Sequence, residues 1–414
     1  MAVDVNSIDE AEKRLEGVAM RTPLQLSKRL SEQFGAEIYI KREDLQEIRS
    51  FKIRGAYNKM SILTEEEREK GVVCSSAGNH AQGVAYSCSL LKIKGTIFMP
   101  AITPQQKVDK VKRFGGDYVD VKLIGITFDD AAAAAKEFAH SKGAVFVHAF
   151  NDEYTISGQG TVGKEIYEDM NGDVDYVFAC VGGGGLVAGV ATYIKEKNSD
   201  IKVIGVEPQG APGMFISMKH HQITVVENMD TFVDGAAVGR VGELSFELST
   251  KHVDKIVVVS EGKVCTEIIG LYQNEGIIAE PAGALAVSGL ESMKDEIKGK
   301  KVVCILSGGN NDILRYPEII ERSLRYEGLK HYFIVNFAQK PGQLKEFLEN
   351  ALGPDDDIVR FDYVKKTNAE KGPAFVGIVL KRREDYEPLV ERMKENHLNF
   401  RIINEDDLLY KYLV

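Results

Sequence analysis

The sequence predicts an α/β fold built on parallel sheets, with a small ferredoxin-like module appended at its C-terminal end. Three observations carry this reading. Short apolar runs alternate with helical stretches over most of the 414 residues. Several of those runs are apolar almost without interruption, as strands covered on both faces must be. Near His331 the order changes to strand, helix, strand, strand, helix, strand. Along the first part, "AEIYIKRED", "GVVCSSAGN", "KGTIFMP", "AVFVHAFND", "VDYVFACVGGGG", "IKVIGVEP" and "KVVCILSGGN" read as strands. The stretches "DDAAAAAKEFAHSKG" and "GLVAGVATYIKEKNSD" between them read as helices, the alternation that builds parallel sheets. The helix "PEIIERSLRYEG", with Gly328 at its end, closes this part. From His331, "HYFIVNFAQ" is a strand and "KPGQLKEFLENALG" a helix with Leu344, Phe347, Leu348 and Leu352 on one face. "DIVRFDYVKK" and "AFVGIVLKR" follow as strands, "EDYEPLVERMKENHL" as a helix and "NFRIIN" as a strand, the βαββαβ order of a ferredoxin-like unit. The expected division is 1–330 and 331–414.

Composition narrows the function. A net charge of −10 disfavours nucleic acid and anionic membrane surfaces, which reward clustered Lys and Arg. No apolar run reaches the length of a membrane span, and the start "MAVDVNSIDEAEKRLEG" has no hydrophobic signal core, so a cytoplasmic protein is expected. The five cysteines form no CxxC, and Cys74, Cys180 and Cys304 sit in strand-like runs as small hydrophobes. No Cys/His cluster suggests a metal, and His220 and His221 read as a surface pair.

The chemistry-bearing residues lie at strand ends. In "VFACVGGGGLVAGVATYI", Gly182, Gly183, Gly184 and Gly185 separate a strand from a helix. Glycines let the backbone approach a ligand, and the helix start offers unpaired N–H groups to a phosphate. Gly183, Gly185 and Ala188 also fit G-x-G-x-x-A, with Glu207 where a ribose-binding acid belongs, so a dinucleotide-dependent dehydrogenase competes locally. Two further turns, "SSAGNHAQG" (75–83) and "LSGGNND" (306–312), offer hydroxyl and amide groups suited to a polar planar ligand. Lys52 sits between Phe51 and Ile53; burial lowers an ammonium pKa and favours a free amine able to attack an aldehyde. A dinucleotide needs no such lysine; a phosphorylated aldehyde cofactor uses every one of these parts.

The set "SFKIRGA", "SSAGNHAQG", "GGGGLVAG", "EPAGA" and "LSGGN", in this order, resembles the pyridoxal-phosphate enzymes of the tryptophan synthase β-like class, and within it the threonine dehydratases. The tail "YFIVNFAQKPGQLKEFL" resembles the ACT-like regulatory module of the biosynthetic members, with room for one module. The resemblance implies a fold-type II catalytic unit of two parallel-sheet subdomains and a lyase that converts L-threonine, and secondarily L-serine, to the 2-oxo acid and ammonia. That is the first step of isoleucine biosynthesis, with isoleucine as expected effector; a catabolic threonine/serine dehydratase is the alternative. By resemblance, Lys52 forms the Schiff base with pyridoxal 5'-phosphate and takes the Cα proton. Gly182, Gly183, Gly184, Gly185 and the backbone of Leu186 hold the phosphate, Asn79 bonds the phenolic oxygen, and Ser307 faces the pyridine nitrogen. Ser76, Gly78 and His80 are candidates for the substrate carboxylate, and Glu280 is expected near the ring. Racemases of this class place a serine before Gly-Asn-His where this chain has Ala77, which implies dehydration without much racemisation. Relatives that bind a divalent cation use an acid six residues beyond the Glu of "VEP"; here that residue is Gly213, and no metal is expected. A homo-oligomer, dimer or tetramer, is expected because such modules pair.

Overall fold

The computed structural model describes residues 2–364, 370–404 and 407–409. The chain divides into two compact units, Met1–Asp312 and Ile313–Val414. The break falls before the helix Tyr316–Tyr326 rather than near His331. That helix is tied to the second unit, where Glu321 accepts from the Tyr332 hydroxyl and pairs with Lys330, and Arg325 lies over the Tyr332 ring.

The first unit holds two parallel sheets. One has six strands in the order β1-β2-β10-β7-β8-β9: Leu24–Leu26, Glu37–Arg42, Lys301–Leu306, Tyr176–Cys180, Lys202–Pro208 and Lys255–Val259. All its pairings are parallel except β1 on β2. The other has four parallel strands, β5-β4-β3-β6: Val119–Leu123, Gly95–Met99, Val72–Ser75 and Val145–Phe146. The continuous apolar runs are the interior strands, as both-face burial requires; β3 and β7 bury almost every residue. All five cysteines are buried free thiols. In "AVFVHAFND" only β6 is strand, and the rest turns to bring 148–151 into the site.

The chain crosses from the large sheet to the small one through the helix Lys52–Ser61, and this crossing sets the position of Lys52. Two residues on, the fully buried Arg54 guanidinium donates to both Glu43 oxygens and to Glu165 at 2.6–3.0 Å. Removing one partner from a buried network of this kind costs about 3–5 kcal/mol. Helix Glu153–Asp169 packs against it where Gly158 meets the Arg54 carbonyl; a Cβ there would lie 2.4 Å from that oxygen.

The second unit is a four-stranded antiparallel sheet, β12-β13-β11-β14 (Asp357–Tyr363, Lys371–Val379, Lys330–Ala338, Asn399–Ile403). With helices Gln343–Asn350 and Tyr386–Glu395 it has the βαββαβ order read from the sequence. Phe333, Val335, Phe337, Val376 and Ile378 meet Phe347, Leu389 and Met393 in its core.

Candidate active site

The site residues gather at the carboxyl ends of parallel strands, where the connecting loops leave backbone groups unpaired. β10 runs into Ser307, β7 into the four glycines, β3 into Asn79, and β6 into Ala149 and Phe150. The segment 49–51 runs beside the end of β10: Phe51 N–H donates to the Ser307 carbonyl (3.1 Å), Gly309 N–H to Arg49 (2.9 Å), and Ser50 bridges Gly308. These contacts set Lys52 next to Ser307.

Lys52 opens its helix and is partly buried, with Nζ donating to the Ala149 carbonyl at 3.1 Å. That carbonyl also accepts from Gln159 Nε2 at 3.1 Å. Burial lowers the Lys52 pKa to about 8, against the opposing pull of Cys180 and Glu280. Its place at the positive end of a helix dipole works in the same direction.

Gly184 has φ +94°, a left-handed conformation that glycine adopts freely. A Cβ on Gly183 would lie 2.2 Å from the Phe150 ring. The helix Gly185–Lys197 starts here without a side-chain cap, so the amides of Gly185, Leu186 and Val187 have no intrahelical acceptor and face an anion site. Ser307, 2% exposed, donates to the Ala282 carbonyl at 3.2 Å.

Asn79 begins the helix Asn79–Leu91. Its Nδ2 donates to Glu280 Oε1 (2.5 Å) and its Oδ1 accepts from Asn310 Nδ2 (2.7 Å). Ser76 Oγ accepts from Gly78 N–H at 3.2 Å, closing the loop. The His80 imidazole is buried and meets the Val147 carbonyl at 2.8 Å, and burial drops its pKa to about 3. It is therefore neutral, with the proton on the nitrogen facing that carbonyl and a bare lone pair on the other. A lone pair repels a carboxylate, so only the backbone N–H of His80 can serve a substrate carboxylate.

Sequence reasoning missed Ala149, Phe150, Gln159 and Asn310. His148 Nδ1 accepts from the Phe150 and Asn151 amides and folds this turn, and burial lowers its pKa to about 4. The polar end of "VFVHAFND" was the available signal. Glu207, expected to bind ribose in the dehydrogenase alternative, is fully buried and accepts from Met214 and Phe215 N–H at 2.8 and 2.7 Å. Its oxygens cap a helix, which removes that alternative.

The residues fit a phosphorylated aldehyde. Ser50 Oγ, Ser75 Oγ, His80 Nδ1, Gln82 Oε1 and Gln159 Oε1 are buried without partners. Gln159 Oε1 lies against Gly185, and Ser50 directly precedes Phe51 and Lys52. Unpaired buried polar atoms are costly unless a ligand completes them.

Fold and site together define a pyridoxal-phosphate enzyme of fold-type II. Residues 15–308 match the family model of pyridoxal-phosphate dependent enzymes, and residues 321–413 match the C-terminal regulatory domain of threonine dehydratase. The chain is 52% identical over 412 residues to the biosynthetic L-threonine dehydratase IlvA of Halalkalibacterium halodurans, covering 100% of this chain and 99% of the relative. It is 51% identical to the Bacillus subtilis protein of the same name, covering 100% and 98%. Among solved structures, the processed form of tomato (Solanum lycopersicum) threonine deaminase isoform 2 is similar at TM-score 0.74 and 41% identity, covering 77% of this chain and 87% of that one. Maize serine racemase is similar at TM-score 0.72 and 31% identity, covering 79% and 99%. The chain belongs to the biosynthetic threonine dehydratase family.

Proposed function

We propose that the protein converts L-threonine to 2-oxobutanoate and ammonia, and L-serine more slowly, as the first step of isoleucine synthesis in the cytoplasm. The observation that carries it is the placement of the Lys52 amine among the ends of β3, β6, β7 and β10, in a chain whose full-length relatives are named biosynthetic threonine dehydratases. Bound pyridoxal 5'-phosphate supplies the electron sink that acidifies the substrate Cα–H.

The protein's own groups do the rest. Lys52 would hold the cofactor, and its amine is placed to take the Cα proton; a positioned base of this kind contributes about 10²–10⁴-fold. Gly182, Gly183, Gly184, Gly185 and the Leu186 amide would hold the phosphate. Ser307 offers a neutral hydroxyl to the ring nitrogen, which weakens the sink compared with a carboxylate and suits loss of a β-hydroxyl over transamination. Ser76 and the backbone of Gly78 and His80 receive the carboxylate. Ala77 has no proton for the second face, which favours dehydration over racemisation. The β-hydroxyl leaves as water, and a water returns in the hydrolysis that frees ammonia.

The second unit binds a branched-chain amino acid, isoleucine, as inhibitor, and the protein works as a dimer or tetramer. Support comes from the regulatory-domain match and the ferredoxin-like topology. Among the described residues no helix is long and apolar enough to cross a membrane, and no group of three or more His, Cys, Asp or Glu could hold a metal.

The test is covalent. Borohydride treatment of the yellow protein is expected to bleach its visible band and leave the cofactor on the peptide containing Lys52. Lys52→Ala is expected to lower 2-oxobutanoate formation by about 10³-fold or more. A colourless variant at full activity would end this reading.

A further inference from the structure

Three of the quoted motifs share one construction that the proposed steps leave unused. Asn310 Nδ2 donates to the Ile48 carbonyl (2.8 Å) and to Asn79 Oδ1 (2.7 Å), so both its hydrogens are spent. Asn79 Nδ2 donates to Glu280 Oε1 (2.5 Å), and Glu280 Oε2 accepts from Asn310 N–H (3.2 Å). The Glu280 amide in turn donates to the Gly308 carbonyl (3.1 Å).

The amide orientations are fixed from the Ile48 end, whatever the protonation of Glu280. A backbone carbonyl only accepts and a side-chain NH2 only donates. Asn310 must therefore turn Nδ2 to Ile48 and to Asn79, and Asn79 must turn Oδ1 to Asn310 and Nδ2 to Glu280. A flipped Asn79 would set donor against donor at the Asn310 end. One hydrogen on Asn79 Nδ2 stays unspent, in a known direction.

The glycines of the other motifs make room for this. A Cβ on Gly308 would lie 2.3 Å from Glu280 Oε1, and a Cβ on Gly283 would lie 2.1 Å from the Gly308 carbonyl. "EPAGA" and "LSGGN" thus meet "SSAGNH" through one carboxylate and one amide.

We propose that Glu280 and Asn310 are positioning residues that lock the Asn79 amide in one orientation and present its remaining N–H to the phenolic oxygen of the cofactor ring. This rests on the reading that Asn79 faces that oxygen. Glu280 is buried and its carboxyl is raised to about 7, first by burial and then by Asp234; Lys107 works against this, and Lys52 and Lys110 also feel its charge. An acid kept in so costly a place, with both oxygens committed to one amide network, fits a positioning role.

A double-mutant cycle on the holoenzyme tests it. Asn79→Ala and Glu280→Gln are each expected to weaken pyridoxal 5'-phosphate binding about tenfold or more, as losing one hydrogen bond to a charged oxygen does. Each is also expected to shift the pH midpoint of the cofactor's visible band, which a merely structural lesion would leave in place. Glu280→Gln made in the Asn79→Ala background is expected to change the dissociation constant less than about twofold, because residues of one network do not add. Independent, multiplying losses would overturn the proposal and leave the Asn79 assignment standing. If Asn79→Ala alone changed neither affinity nor band, the assignment of Asn79 would itself fall, and the proposal with it. Should Glu280→Gln not fold, Asn310→Ala completes the same cycle.

Discussion

Lys52 shows how a single side chain acquires chemistry from its surroundings. An exposed lysine is almost wholly an ammonium at neutral pH; with its pKa lowered to about 8, roughly a tenth is free amine at pH 7. The sign is fixed by the cause: burial penalises the cation, so the reactive form gains as pH rises. Protein stripped of cofactor is therefore expected to recombine with pyridoxal 5'-phosphate at a rate that rises through pH 7 and levels off above about 8. Stopped-flow absorbance measures this, and a flat profile from pH 6.5 to 9 would contradict the assigned microenvironment. Lys52, Asn79 and Ser307 were singled out in the sequence by the motifs that hold them, and the fold brings all three to the ends of parallel strands. The Ala149 carbonyl, which receives the Lys52 amine, was not singled out. A backbone oxygen has no letter in the sequence, and only the His148 turn that aims it could have hinted at its role.

At the scale of elements, edge position decided which strands could be read. β1 and β9 are the edges of the six-stranded sheet, β5 and β6 those of the four-stranded one. β1, β5 and β9 were not read as strands, and β6 was read as longer than it is. β5, "VDVKL", mixes charged with apolar residues and fully buries none of them, and β1 is three residues held by pairing to β2. Interior strands announce themselves by unbroken apolar runs, whereas β1 and β5 depend on the neighbour they find; β9, "KIVVV", is an apolar run at an edge that the sequence reading passed over. Glu207, at the end of β8, makes an element-scale prediction. Its carboxyl, raised to about 8 by burial, holds a proton more tightly in the folded state than the ordinary 4.5 of an exposed glutamate. Stability is therefore present below pH 4.5 and declines as pH rises toward 8. Glu207→Gln removes this titration but gives one of the two capped amides, Met214 or Phe215, no acceptor, at about 1–3 kcal/mol. The variant is expected to be the weaker protein at pH 5 and to lose that disadvantage progressively toward pH 8. Denaturant midpoints at pH 5, 6.5 and 8 check this, and a constant gap would show that Glu207 does not titrate in that window.

For the whole molecule, the place where the chain divides determines how catalysis and regulation can be separated. Helix Tyr316–Tyr326 buries Ile319 and Ser323, and its Glu321 and Arg325 are engaged with Tyr332 and Lys330 of β11. Cutting after Gly328 strips this helix from its own sheet and exposes its apolar side, which invites association. Cutting after Asp312 follows the boundary of the first unit and removes helix and sheet together. Every residue assigned to the cofactor, from Lys52 to Ser307, and the Asn310 that holds Asn79 lie before that point. The chain ending at Asp312 is expected to stay soluble, bind pyridoxal 5'-phosphate and retain threonine dehydration within about threefold of the full-length rate, with no response to isoleucine. The chain ending at Gly328 is expected to lose the isoleucine response too, but to show larger species by light scattering. Isoleucine inhibition that survived the Asp312 cut would place the effector site in the catalytic unit, and loss of cofactor binding would show that the first unit needs the second to hold its site open.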